Sequence, residues 1–88
     1  MISEKVRIAN EYGIHARIAA VLAAECKKYV SEIEILVDDK AVNPKNVMEL
    51  MNGRITFGKE IIVVCDGDDE ENALESILKV IRRKNENY

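Results

Sequence analysis

The feature that most constrains the fold of this sequence is the recurrence of apolar residues at every second position. Isoleucine and valine recur in this way at Ile33, Ile35 and Val37, with the acidic residues Glu32, Glu34 and Asp38 around them, and residues 2–8 alternate similarly except at Glu4. This period predicts strands with one buried face and one face in water. Helices can then cover only one face of the sheet, so we expect an open-faced α+β sandwich.

The middle of the chain contains capping residues and turn signals. We expect a helix from about Ala16 to Tyr29, and a hairpin at residues 38–40 that leads into a short strand near Ala41 to Asn43. Asn46 followed by Glu49 resembles a capping box. It predicts a second helix that runs to about Asn52 and ends at Gly53.

The last third of the chain predicts one strand and one helix. Glu60 to Cys65 is apolar on both faces, which favours a central strand. Asp68 with Glu71 predicts the start of the last helix, and the basic residues 82–84 suit its C-terminus. The residues expected on its buried face are Leu74, Ile77, Leu78 and Ile81. The expected order is therefore strand, helix, strand, strand, helix, strand, helix.

Length and charge limit the class of protein. A chain of 88 residues has room for one compact domain, which we predict over residues 1–88. The net charge of −3, with one Phe and three Tyr for base stacking, argues against nucleic acid as a partner. The apolar runs, such as Ile61 to Cys65, are far shorter than the roughly 20 residues that span a bilayer. No signal peptide begins the sequence, so we expect a cytoplasmic protein without membrane insertion.

The two cysteines do not suggest a metal site. Cys26 and Cys65 are far apart in sequence, and the chain has a single histidine, so the ligands for a structural zinc ion are too few. We expect both to be buried free thiols, with a regulatory disulfide as the alternative. No metal and no cofactor are expected.

The single histidine, His15, is the candidate for chemistry. It lies between a glycine turn and the first predicted helix. Unpaired N–H groups at a helix N-terminus favour an anion such as phosphate, and a neutral imidazole nitrogen is a nucleophile toward a phosphoryl group. Arg17 could place its guanidinium against two phosphoryl oxygens. The alternative is a surface histidine that only caps the helix.

Two segments resemble signatures of a known family. GIHAR at residues 13–17 closely resembles the active-site motif of the HPr family, the histidine-containing phosphocarriers of the bacterial phosphotransferase system. VNPKNVMELM at residues 42–51 resembles the second signature of that family. The likeness extends over essentially the whole chain. It implies a four-stranded antiparallel sheet with three helices on one face, in the order βαββαβα.

The resemblance also implies a reaction. His15 would accept a phosphoryl group on Nδ1 from phospho-Enzyme I and pass it to an Enzyme IIA domain for sugar uptake, with Ala16 and Arg17 binding the phosphate. Such a chain is an intermediate in phosphoryl transfer rather than a free-standing enzyme. The alternative is a regulatory HPr-like paralogue that binds partner proteins. Family members that have lost the active histidine are the model for the regulatory class, so His15 and Arg17 favour the carrier.

The family presents an apolar docking surface beside its histidine. The resemblance places it here at Ala20, Val47, Met48 and Met51, which could join Ala16 and Ala19. The alternative is that these residues belong to the core. A two-turn helix buries one narrow stripe, and Leu50 is the better candidate for that stripe.

The sequence departs from the family at two positions. Ile18 replaces the usual proline and restores a backbone N–H in the first helical turn, which could help to hold phosphate, alter docking or simply be tolerated. Asn46 occupies the position of the serine that HPr kinase phosphorylates in many members. Since asparagine has no hydroxyl, we predict that the serine switch is absent.

Overall fold

The computed structural model describes residues 1–82, and the predicted basic residues Arg83 and Lys84 lie outside this part. The elements follow the expected order: β1 (Ile2–Arg7), α1 (Ala16–Cys26), β2 (Glu32–Val37), β3 (Lys40–Val42), α2 (Val47–Asn52), β4 (Glu60–Asp66) and α3 (Glu70–Ile81). The strands form one antiparallel sheet in the order β1-β4-β2-β3. The predicted α+β sandwich and the central position of β4 are both confirmed.

The alternating pattern of β2 places its side chains as expected. Ile33, Ile35 and Val37 are buried, whereas Glu32 and Glu34 point to solvent. The helices pack on the buried face, so the core lies between one side of the sheet and the helices. All four residues predicted for the buried face of α3 are buried. The opposite face of the sheet carries Glu32 and Glu34 together with the half-buried Leu36, Ile62 and Val64.

Both cysteines are free and fully buried in this core. Burial in apolar surroundings raises the pKa of the Cys26 thiol to about 12. Burial also raises the pKa of Cys65. The expectation of two buried free thiols is confirmed.

The first helix ends three residues earlier than predicted. The Lys27 N–H donates to the Ala23 carbonyl and closes the last turn of α1, which ends at Cys26. The chain then turns toward α3. There the Tyr29 hydroxyl pairs with Ser76 Oγ at 2.5 Å. Tyr29 therefore connects a loop to α3, because tertiary contacts override the helical periodicity at this end.

The predicted cap of the last helix is wrong by one residue. Asp69, not Asp68, precedes α3, and Glu70 rather than Glu71 reaches back, accepting the Gly67 N–H at 3.1 Å. The Asp69 side chain does not cap its own helix, because its carboxylate accepts hydrogen bonds from the loop before β2. The third strand is also one residue earlier than predicted, since Val37 pairs with Lys40 across a two-residue turn.

Candidate functional site

A rigid turn precedes the histidine. The Asn10 side chain is buried, and its Oδ1 accepts the Tyr12 N–H at 2.8 Å while its carbonyl accepts the Gly13 N–H at 2.9 Å. Gly13 has φ +67°, and a Cβ there would lie 2.6 Å from the Ile55 carbonyl oxygen. Only glycine fits this close approach. The Ile14 N–H donates to the same carbonyl at 2.8 Å, so the turn is fixed on both sides.

His15 is the N-cap of α1, as its position in the sequence predicts. Its backbone is extended, with φ −93° and ψ −178°, and its Nδ1 accepts the Arg17 N–H at 3.3 Å. An Nδ1 that accepts a hydrogen bond carries no proton, so the neutral ring carries its proton on Nε2. Nδ1 thus faces the N-terminus of the helix.

The first turn of α1 supplies donors for an anion. The first hydrogen bond along the helix runs from the Ala19 N–H to the His15 carbonyl at 2.8 Å. The N–H groups of Ala16, Arg17 and Ile18 precede it and make no backbone hydrogen bond within the helix, and the Arg17 N–H donates to the His15 side chain. Arg17 is exposed at this end, so its charge adds to the positive end of the helix dipole. The structure therefore brings together all three residues predicted for phosphate chemistry.

An aromatic residue that the sequence reasoning missed lies against the histidine. The rings of Tyr12 and His15 form an edge-to-face pair with centroids 6.0 Å apart and an interplanar angle of 86°. Tyr12 is 74% exposed. The sequence signal that could have identified Tyr12 is its position, since it is an aromatic residue in a glycine turn three positions before the histidine. Phe57, also exposed, follows Thr56, whose backbone abuts Gly13.

Asn46 caps the second helix but does not complete the predicted capping box. Its Oδ1 accepts the Glu49 N–H at 3.1 Å. The Glu49 carboxylate does not return to the Asn46 N–H, and instead accepts the Asn43 N–H at 3.0 Å. The Asn46 N–H donates to the Asn43 carbonyl. The Asn46 side chain therefore serves as the N-cap of α2.

The residues predicted for docking lie on two helices that pack together, α1 and α2. Met48 is 63% exposed and Met51 42%, whereas Leu50 is fully buried, as expected. Val47 is half-buried against the core. Ala16 and Ala20 are exposed, but Ala19 is buried on the inner face of α1, so the suggestion that Ala19 joins this surface is wrong.

Residues 1–82 contain neither a candidate metal site nor a candidate membrane-spanning helix. No group of three or more His, Cys, Asp or Glu residues in this range is arranged to hold a metal ion. Within the same residues, none of the helices has the length and hydropathy required to cross a membrane.

Comparison with known proteins points to one family. Residues 2–83 match the family model described as "PTS HPr component phosphorylation site". The chain is 31% identical to the HPr-like protein Crh of Bacillus subtilis, with 96% of this chain and 99% of Crh covered. It is 40% identical to the phosphocarrier protein HPr of Mycoplasma capricolum, with 84% and 83% covered. The crystal structure of HPr-C-His from Thermoanaerobacter tengcongensis superposes with a TM-score of 0.88 at 33% identity, covering 92% and 91%.

Proposed function

This chain belongs to the HPr family, the histidine-containing phosphocarriers of the phosphotransferase system, and we propose that His15 is the residue that carries its phosphoryl group. In this proposal, phospho-Enzyme I donates the group in the cytoplasm and an Enzyme IIA domain accepts it. The observation that supports it is the His15 Nδ1, which is unprotonated and accepts the Arg17 N–H at the N-terminus of α1.

The transfer forms one bond to phosphorus and breaks another. The Nδ1 electron pair forms a bond to phosphorus while the bond from phosphorus to the donor group of phospho-Enzyme I breaks, and the electron pair of that bond stays with the donor. The Arg17 N–H then loses its imidazole acceptor and donates to a phosphoryl oxygen instead, together with the N–H of Ala16. Discharge to the acceptor is the same exchange in reverse. Positioning and charge stabilisation suffice for this chemistry.

The docking surface is proposed as Ala20, Val47, Met48 and Met51. These residues lie on α1 and α2, and α1 also begins at the histidine, so a partner seated on them can reach the site. Exposed methionines adapt to differently shaped partners, which suits a chain that must bind both a donor and an acceptor.

A second candidate function is that of a regulatory HPr-like protein. The similarity to Crh favours it, because Crh is matched over nearly its whole length. Asn46 argues against regulation through a phosphorylated serine, since its side chain has no hydroxyl and is bonded to Glu49. The presence of His15 beside a donor-rich helix end favours the carrier.

Onward transfer separates the two functions. The chain is phosphorylated with phosphoenolpyruvate and Enzyme I, freed of both, and mixed with an Enzyme IIA domain. Movement of the phosphoryl group to the IIA domain supports the carrier, whereas a stable group that no IIA domain accepts supports the regulator. In parallel, HPr kinase and ATP should leave the wild type unlabelled. Asn46→Ser is the matched variant for that assay.

A further inference from the structure

We propose that Tyr12 is a positioning residue for His15. Its ring holds the imidazole in the orientation in which Nδ1 faces the N-terminus of α1. This inference rests on the proposed role of His15 and adds to the site a residue outside the GIHAR segment.

The hydrogen bond to Arg17 is a weak restraint on the imidazole. The distance from the Arg17 nitrogen to His15 Nδ1 is 3.3 Å. Hydrogen bonds from N–H groups are usually 2.7–3.2 Å long and weaken beyond that range. His15 is only half-buried, and exposed side chains change rotamer on a picosecond-to-nanosecond timescale. A second contact is therefore needed to keep the ring in one orientation.

Tyr12 makes that contact. The centroid distance of 6.0 Å and the angle of 86° fall within the range of favourable edge-to-face pairs. Tyr12 precedes His15 in the chain and Arg17 follows it, so the imidazole is restrained by both flanking segments. With its side chain 74% exposed, Tyr12 contributes little to the core, so its loss should leave the fold intact.

The backbone of Tyr12 is itself fixed, which allows its ring to act as a restraint. The Tyr12 N–H is bonded to the buried Asn10 side chain. On the other side, Gly13 lies against the Ile55 carbonyl with no room for a Cβ. A side chain on a rigid turn has only its own two torsions to lose when it packs on a neighbour, so the entropic cost is small.

Restricting the imidazole raises the fraction of time for which Nδ1 can attack phosphorus. Reactivity depends on such preorganisation, because misaligned orientations do not react. Loss of an aromatic pair corresponds to about a two- to tenfold change in an equilibrium between orientations. We therefore expect Tyr12→Ala to slow the reaction of His15 by about that factor, whatever the phosphoryl donor.

The test uses a small donor, phosphoramidate, which needs no docking surface. The Nδ1 electron pair forms a bond to phosphorus, the P–N bond of phosphoramidate breaks, and ammonia leaves and takes up the imidazole proton as ammonium. The rate is measured for wild type, Tyr12→Ala and Tyr12→Phe, with Glu11→Ala as the control at the neighbouring exposed position of the turn. We expect Tyr12→Ala to be slower, and Tyr12→Phe and Glu11→Ala to match wild type.

A spectroscopic measurement on the unphosphorylated chain accompanies the rates. ¹⁵N shifts of the imidazole report whether Nδ1 is unprotonated, and we expect them to move toward those of a mixture of tautomers in Tyr12→Ala alone. Equal phosphoramidate rates in wild type and Tyr12→Ala, or a defect seen only with Enzyme I, would overturn the positioning role. Failure of the proposed carrier function gives a different result, in which phosphoramidate labels His15 but Enzyme I does not.

Discussion

The Nδ1 atom of His15 accepts the backbone N–H of Arg17, so the proposed nucleophile and a proposed phosphate-binding donor belong to the same helix cap. In the proposed transfer, this N–H orients the imidazole first and donates to a phosphoryl oxygen afterwards. One hydrogen bond would thus be exchanged for another without a rearrangement of the backbone.

Arg17→Glu should slow phosphoryl transfer from Enzyme I by about ten- to a hundredfold. The variant replaces a positive charge near the phosphoryl group with a negative one. The free energy of unfolding should change by less than about 1 kcal/mol, because the residue is exposed and a carboxylate suits a helix N-terminus. Rapid-quench kinetics measures the rate, and Arg17→Lys serves as the charge-preserving control. A rate equal to that of wild type would remove Arg17 from the mechanism.

Ile18→Pro tests whether the additional backbone N–H stabilises the phosphorylated form. Proline removes one donor near the phosphoryl group, worth about 1 kcal/mol at an exposed site. We expect the equilibrium ratio of phosphorylated to free chain to fall by about fivefold at a fixed ratio of phosphoenolpyruvate to pyruvate. Ile18→Val keeps the N–H with a smaller side chain at this buried position and controls for lost packing. If the two variants give the same ratio, the N–H does not bind phosphate.

The exposed methionines should contribute to affinity rather than to stability. Met48→Ala with Met51→Ala should raise the Kd for Enzyme I by about tenfold, because exposed apolar side chains gain energy only when a partner covers them. Thermal unfolding should shift little. Isothermal titration calorimetry measures the Kd. Val30→Ala is the control, since Val30 is 78% exposed and belongs to the loop that Asp69 binds. An unchanged Kd in the double variant would place docking elsewhere.

Asp69 should make stability depend on pH in the acid range. Hydrogen bonds from the Ser31 hydroxyl, and from the backbone N–H groups of Val30 and Ser31, lower the pKa of the Asp69 carboxyl. A lowered folded-state pKa stabilises the fold above the unfolded-state pKa of about 4, and this contribution is lost as the pH falls through the folded-state pKa.

Asp69→Asn should therefore lower the urea midpoint at pH 7 but have little effect below the folded-state pKa. Asparagine keeps a single acceptor oxygen, so it cannot replace both carboxylate oxygens. Urea unfolding at pH 7 and at successively lower pH measures the difference, with Asp68→Asn as the neighbouring control. A midpoint difference that stays constant down to the pH at which the Asp69 carboxyl is protonated in the folded chain would contradict the assignment.

Much of the fold could be predicted because its signals are local. The period of two along β2 and the helical period of α3 each lie within a dozen residues, and both predicted faces are confirmed. The site at His15 was equally accessible, since the glycine turn, the nucleophile and the helix start are adjacent in sequence.

The features that were missed depend on contacts between distant segments. Asp69 was not predicted as the residue before α3. Its carboxylate binds Ser31, which is 38 positions away in the sequence, and a local capping pattern gives no sign of such a contact. The Glu49 carboxylate does not complete the expected capping box, because it accepts the N–H of Asn43 instead. Ala19 and Ala20 are equivalent by residue type, and only the rotation of α1 against the core buries one and exposes the other.

Intact-mass analysis after incubation with phosphoenolpyruvate and Enzyme I tests the central claim most directly. The account predicts one acid-labile phosphoryl group on the wild type and none on His15→Ala, with the variant still unfolding cooperatively. Removing the N-cap should cost that variant only about 1 kcal/mol. A phosphoryl group on His15→Ala, or none on the wild type beside an active Enzyme I control, would contradict the assignment of His15 as the phosphoryl carrier.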